Sequence, residues 1–464
     1  MSSLLAKNTL QYTLALIGQK LIAFGYNIYI ANQLGVVGNG QYFFVVSFAT
    51  MYSAIADLGI SATYIREGTQ RPQEREKLFS DALALKLPLA LLMIIVVNSI
   101  AFIGGYAPQI RLMIFLATLS TFLESIHLLL FAALRTVQKL KFEAGILFLG
   151  QVVILLAGVG SLQLTRTPLV LVLALLIGNV WNVTAAAYIA RRQLGIKAIL
   201  HFDLIRLLNF IKIAAPFALA GIFTKIYSYV DSIFLKHYSG FEALGVYGVA
   251  YKFTYAFQFL PLAFVAGLFP AFSELYTKDR ARLPLLFERS IWYMAVLSFP
   301  LVAGVLAIGD RVIATLFKVE FKGAEEVLMI LFPVLIFIFL DFPIMALLNA
   351  AHRQNTKTAL MGVTVAINII LNACLIPSYG AKGAAVAALA SFSWMFLAGF
   401  VFVWHIFAVR ARILSMLFRV ALAALAMYGV VIFAKPYLPW SLLVIIGAGV
   451  YLPVLFVCRG ISIS

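Results

Sequence analysis

The stretch Ala215–Tyr276, APFALAGIFTKIYSYVDSIFLKHYSGFEALGVYGVAYKFTYAFQFLPLAFVAGLFPAFSELY, decides the fold. It is apolar and aromatic along its whole length, yet it carries Lys225, Asp231 and Lys252. A charge at mid-bilayer depth costs at least about 2.5–3.5 kcal/mol on insertion scales, so such residues rarely face lipid. The stretch also has a counterpart. Displaced by 205 positions without a gap, Leu10–Phe48 lies over Ala215–Phe253, and nine of the 39 pairs are identical. The informative pairs are Lys20/Lys225, Gly35/Gly240, Gly40/Gly245 and Tyr42/Tyr247, because apolar matches are common in any membrane protein. Two structurally related halves follow, each setting a lysine at the same register.

Working outward, 63% of the 464 residues are hydrophobic, mean hydropathy is +1.02 and only 11% are charged. A soluble domain cannot hide that much apolar surface, so an all-α polytopic membrane protein is expected. The two cysteines, Cys374 and Cys458, lie in separate apolar segments, which argues against a disulfide framework or a metal site. The N-terminal MSSLLAKNTLQYTLALIGQK lacks the features of a cleaved secretory signal and reads as the start of the first span.

Apolar runs of about 20 residues, separated by polar, Gly or Pro punctuation, predict about fourteen transmembrane helices. They group as a first lobe over 1–192, an interfacial linker over 193–210, a second six-helix lobe over 211–408 and a further helix pair over 409–464. Within the linker region His201–Lys212, HFDLIRLLNFIK, has the apolar spacing of an interfacial helix. Of the 35 Lys and Arg, alternate connections hold 23 against 8, and four fall within spans. This bias predicts both termini in the cytoplasm, and the net charge of +17 is its consequence. The longest outward connection is expected near Asp310–Glu326. No phosphate-binding GxxxxGK[ST] run, no nucleophile triad and no nucleic-acid module occurs in the sequence, so no cofactor and no nucleic-acid partner are expected.

Ionisable residues inside the spans are the functional candidates. If the halves are parallel repeats, the first and seventh spans face each other, and Lys20, Lys225 and Lys252 then flank one cavity suited to an anion such as phosphate. Asp57, Asp231 and Asp341 are candidates for balancing those charges or for coupling to H+ or Na+. Glu124 and His127, one helical turn apart, suit either a proton relay or an interhelical hydrogen bond, and no third ligand suggests a metal. Glu143, beside Lys139 and Lys141, reads as interfacial. The tyrosines that crowd the opening stretch suit either sugar stacking or ordinary packing.

Three passages carry a family resemblance: Ile30–Glu67, IANQLGVVGNGQYFFVVSFATMYSAIADLGISATYIRE; Tyr229–Phe253, YVDSIFLKHYSGFEALGVYGVAYKF; and Leu371–Ser391, LNACLIPSYGAKGAAVAALAS. With these the chain resembles the polysaccharide-transport, Wzx-like flippases of the multidrug/oligosaccharidyl-lipid/polysaccharide exporter superfamily. It departs from them at Ala31-Asn32-Gln33, where the family often has Ala-Arg before Leu-Gly. The resemblance implies flipping of undecaprenyl-pyrophosphate-linked oligosaccharide to the outer leaflet of the cell inner membrane by alternating access. It implies a place in O-antigen, lipopolysaccharide, capsule or exopolysaccharide assembly, with a polymerase and a chain-length regulator as partners. A lipid II flippase is the related alternative. An ion-coupled multidrug antiporter calls for a more acidic cavity, and a membrane enzyme calls for a larger extramembrane loop than the sequence offers.

Overall fold

The computed structural model describes residues 2–195, 204–407 and 409–458. Its described elements are α-helices joined by turns and short 3-10 segments. In chain order the helices are α1 (Ser2–Asp57), α2 (Ile60–Gln70), α3 (Arg75–Ile103), α4 (Pro108–Thr136), α5 (Leu140–Leu164), α6 (Pro168–Leu194) and α7 (Leu204–Tyr255). They continue with α8 (Phe259–Lys278), α9 (Leu283–Leu316), α10 (Ala324–Leu331), α11 (Val334–Ala350), α12 (Gln354–Phe407), α13 (Arg412–Ala434) and α14 (Trp440–Val457). Among the described residues, 11 helical stretches are long and apolar enough to cross a membrane. The protein is a multi-pass membrane protein.

Three rods, α1, α7 and α12, have 56, 52 and 54 residues, far beyond the roughly 20 needed for one crossing. Each is interrupted by a single glycine with positive φ: Gly35 (φ 69°, ψ 177°), Gly240 (φ 79°, ψ −172°) and Gly380 (φ 54°, ψ −130°). A side chain at such a position would be strained, which is why glycine stands there. Gly35 and Gly240 are repeat mates, and their backbones agree within about 11° in both angles.

The chain divides into two compact units, residues 1–245 and 246–464, with the boundary inside α7. In the first unit α4 is central. Its Leu129, Phe131 and Leu134 are fully buried with Tyr64 of α2, Phe79 of α3 and Ala186 of α6. Small residues bring α5 and α6 close: a Cβ on Gly150 would meet Asn182 Oδ1 at 2.2 Å, and one on Gly178 would meet Ile154 Cγ1 at 2.2 Å. Proline at the first turn starts α4 and α6, and Gly195 in the left-handed region ends α6. The sequence placed Glu143 at the interface. It is buried instead, 1% exposed, and accepts a bidentate pair from Arg135 (2.9 and 2.5 Å) across the α4–α5 turn. Lys139, which stood beside it in sequence, donates to Gln193 Oε1 at 2.7 Å.

In the second unit α11 is the most enclosed helix, with Leu335, Phe339 and Leu347 fully buried against α8, α9 and α12. The C-terminal pair, α13 and α14, docks on α9. Tyr451 Oη donates to Val296 O at 3.0 Å, Lys435 pairs with Asp310 at 2.8 Å and Arg311 donates to Leu438 O at 2.9 Å. The connection expected over Asp310–Glu326 is shorter than the sequence suggested, because α9 runs on to Leu316 and α10 begins at Ala324. The proposed interfacial helix falls partly outside the described residues; from Leu204 the chain is helical.

Candidate functional site

Two features of the first unit join other helices to α7, the first built from residues that the repeat brought to notice and the second including its Lys225. The first is a close backbone approach. A Cβ on Gly40 would lie 1.9 Å from Phe241 O, and one on Gly245 would lie 2.0 Å from Val36 O. Val36 and Phe241 are themselves 205 positions apart, so the two contacts mirror each other. Asn39 Nδ2 donates to Gly245 O at 3.0 Å, and Phe44 meets Phe241 edge-on at 5.8 Å between ring centres. Lys236 Nζ lies over the Tyr106 ring at 4.4 Å, and Tyr106 also packs on Phe44 at 5.4 Å.

The second feature is a mainly apolar pocket of about 150 Å³ with a few polar groups in its walls, room for several waters. Its walls come from three places. Ser53 and Asp57 stand at the end of α1. Thr121, Glu124, Ser125 and Leu128 form one face of α4, at the i, i+3, i+4, i+7 spacing of a helix. Ala218, Gly221 and Lys225 form one face of α7. A Cβ on Gly221 would meet nothing within 4 Å, so the small residues ahead of Lys225 leave room beside its stem.

The α1–α2 elbow that completes the pocket is Leu58 (φ 38°) and Gly59 (φ 76°). A left-handed non-glycine residue costs roughly 1–2 kcal/mol, and the surroundings of Leu58 hold it there. Next to it Asp57 accepts from Lys86 Nζ of α3 and from Ser61 Oγ of α2, both at 2.5 Å, and Lys86 also donates to Ser61 Oγ at 2.8 Å. The Lys86 side chain is completely buried while Asp57 remains 34% exposed. Removing an ammonium from water is costly unless it is paired and hydrogen-bonded, and this closed triangle supplies both. Across the pocket Lys225 lies over the Tyr229 ring at 6.0 Å. Among the described residues neither Lys225 nor Glu124 has an ion-pair partner within 4 Å. Tyr229 and Lys86 both lie within the electrostatic reach of Glu124.

The structure therefore gathers three of the sequence candidates, Asp57, Glu124 and Lys225, around one pocket. Lys20 is exposed on α1 and is not among the residues lining it. Lys252 belongs to the second unit, half-buried and engaged with a neighbour. Asp231 is buried on α7 and likewise engaged. Asp341 is buried on α11, with Oδ1 lacking a hydrogen bond among the described residues and Lys357 as the nearby cation. His127 is buried behind the pocket wall against Phe131, 5.0 Å between ring centres. Among the described residues no group of three His, Cys, Asp or Glu is placed to hold a metal ion.

Lys86 was the residue that sequence reasoning passed over. Its signal was present: a single cation within the apolar run ALALKLPLALL requires a buried anion, and Asp57 was already a candidate.

Comparison with known proteins gives the family and the fold. The family model described as polysaccharide biosynthesis protein matches residues 5–276, and the MatE model matches residues 216–374. Over 367 residues the chain is 25% identical to the probable low-salt glycan biosynthesis flippase Agl15 of Haloferax volcanii, covering 79% of this chain and 76% of that protein. It is 30% identical over 168 residues to the probable flippase AglR of the same organism, covering 36% of this chain but only 35% of the length of that relative. Among solved structures it is similar to the lipid II flippase MurJ in an inward closed conformation, with a TM-score of 0.80 at 15% identity over 97% of this chain and 98% of that one. It is also similar to an inward-facing multidrug resistance MATE family transporter, with a TM-score of 0.70 at 15% identity over 85% and 98%.

Proposed function

Because the chain belongs to the polysaccharide biosynthesis protein family, we propose that it is a flippase that carries a lipid-linked oligosaccharide across the cytoplasmic membrane by alternating access. The substrate class we infer is undecaprenyl pyrophosphate bearing an oligosaccharide repeat unit, as needed for O-antigen, capsule or exopolysaccharide assembly. The observation that carries the reading is Lys225, an ammonium in a pocket within a membrane-spanning rod, without an ion-pair partner within 4 Å among the described residues. A half-buried ammonium held open in this way suits a phosphate oxygen, which it binds as a point charge. The names of Agl15 and AglR, both flippases, support the same class.

In this reading each glycine-broken rod crosses twice, which makes fourteen crossings, and the 23-to-8 charge bias sets both termini in the cytoplasm. The mirrored contact at Gly40 and Gly245 then lies on the outer side and closes it, while the pocket serves the inner half of the path. Asp57 is neutralised by Lys86, and Glu124, Asp231 and Asp341 remain the candidates for ion coupling. Lys20 and Lys252 serve as further cations that the headgroup meets elsewhere along the route. A multidrug antiporter would need an acidic pocket. Here the two carboxylates at the wall are matched by Lys86 and Lys225, so no net negative charge draws a cationic drug.

The test is translocation of a fluorescent lipid-linked oligosaccharide in proteoliposomes. Lys225→Ala lowers the rate at least tenfold while the protein reconstitutes at wild-type level, and Lys225→Arg keeps part of the activity. A wild-type rate in Lys225→Ala contradicts the assignment.

A further inference from the structure

The pocket around Lys225 is divided in its hydrogen-bonding chemistry. On the α1 and α4 side, the few polar groups of an otherwise apolar wall are acceptors. Glu124 contributes a carboxylate. Thr121 Oγ1 donates its own proton to Ala117 O at 2.9 Å, and Ser53 Oγ donates to Thr50 O at 2.7 Å, so both hydroxyls turn lone pairs toward the pocket. Ser125 Oγ is directed at Ala56 O from 3.5 Å, a weaker version of the same arrangement. Asp57 already takes two hydrogen bonds from Lys86 and Ser61. Lys225 on the α7 side supplies the ammonium donors.

A bare phosphate satisfies only half of this site. Its oxygens accept from Lys225, but against Glu124 and the spent hydroxyls they would meet acceptor with acceptor and charge with like charge. A metal cation would suit the acceptor wall but would face Lys225, with Lys86 behind Asp57. The ligand that satisfies both walls carries an anion on one side and several O–H or N–H donors beside it.

We propose that the α4 wall, with Glu124 at its centre and Thr121 beside it, recognises the sugar joined directly to the phosphate that Lys225 holds. The ligand class is a glycosyl phosphate whose first sugar offers hydroxyl or amide N–H donors. The inference rests on the flippase reading above and adds the specificity-determining residue to it. A site built to hydrogen-bond a substrate O–H or N–H discriminates strongly against the analogue lacking it, because its own groups are then left unpaired.

The test measures binding of two probes to the purified full-length protein in lipid nanodiscs: farnesyl diphosphate, and the same lipid diphosphate bearing one N-acetylglucosamine. Wild-type protein binds the sugar-bearing lipid about tenfold tighter or better. Glu124→Leu brings the ratio toward one without weakening farnesyl diphosphate. Thr121→Val, which keeps the volume and so guards against misfolding, brings it down part of the way. Lys225→Gln weakens both probes together and leaves the ratio. The inference is overturned if both Glu124→Leu and Thr121→Val keep the wild-type ratio. It is also overturned if sodium chloride alone, compared with choline chloride, gives a binding heat that Glu124→Leu abolishes, since the wall would then be a cation site. If wild-type protein binds neither probe, the flippase reading itself fails, and that outcome is distinct from a lost or retained ratio.

Discussion

Gly40→Ala destabilises the protein far more than its single methyl group suggests. The new Cβ would stand 1.9 Å from Phe241 O, a backbone atom that cannot rotate away as the tip of a side chain can. Either the two segments part, losing the Asn39–Gly245 hydrogen bond and the Phe44–Phe241 ring contact, or the helix bends. Overpacking of this kind costs about 1–3 kcal/mol. Gly245→Ala, 2.0 Å from Val36 O, produces the same effect from the mirrored side. The double variant costs less than the two added together, because once the segments have parted the second methyl meets no resistance. Gly25→Ala is the control, since a Cβ there meets nothing within 4 Å. Thermal melts in detergent with and without bound lipid measure all four. Equal melting of Gly40→Ala and Gly25→Ala would show that the close approach is not maintained.

The second large effect concerns Asp57 and Lys86, and it is unequal. Asp57→Ala leaves a fully buried ammonium whose one remaining hydrogen-bond partner among the described residues is Ser61 Oγ, the situation that costs about 3–5 kcal/mol when one partner of a buried pair is removed. Lys86→Met leaves a carboxylate that is one-third exposed toward the pocket, keeps its bond from Ser61 and can take up water, so its cost is smaller. The double variant Asp57→Ala/Lys86→Met regains most of what Asp57→Ala loses, because no charge is then stranded. Melting temperatures of the three variants form the cycle. An Asp57→Ala no more destabilised than Lys86→Met would mean that Lys86 reaches water by a route the structure lacks.

The repeat was legible because glycine is legible. Gly35/Gly240 and Gly40/Gly245 stood out in the sequence, and the structure gives a separate physical cause for each pair, a positive φ at the first and a backbone contact at the second. The paired lysines were less informative. Register fixes the turn on which Lys20 and Lys225 sit but not what packs against them, and of the two it is Lys225 that lines the pocket. The pocket wall on α4 was written in the spacing of Thr121, Glu124 and Ser125, but hydroxyls in an apolar helix look like ordinary packing until their protons are followed to Ala117 O and Ala56 O. Glu143 misled because its sequence neighbours are lysines, whereas its partner Arg135 reaches it only after the chain has turned. Lys86 and Asp57 are 29 residues apart on different helices, a pairing that periodicity within one helix cannot reveal.

In the transport proposed above, Lys225 is the place where the anionic headgroup is held. With Cys374 and Cys458, the two cysteines of the sequence, replaced by serine, a single Gly221→Cys, on the pocket wall one turn before Lys225, provides a reporter that leaves the ammonium in place. An anionic methanethiosulfonate reagent should label that cysteine in proteoliposomes, and a lipid-linked oligosaccharide should slow the labelling several-fold while the lipid diphosphate without sugar protects less. Labelling at the same rate with and without the lipid-linked oligosaccharide would contradict it.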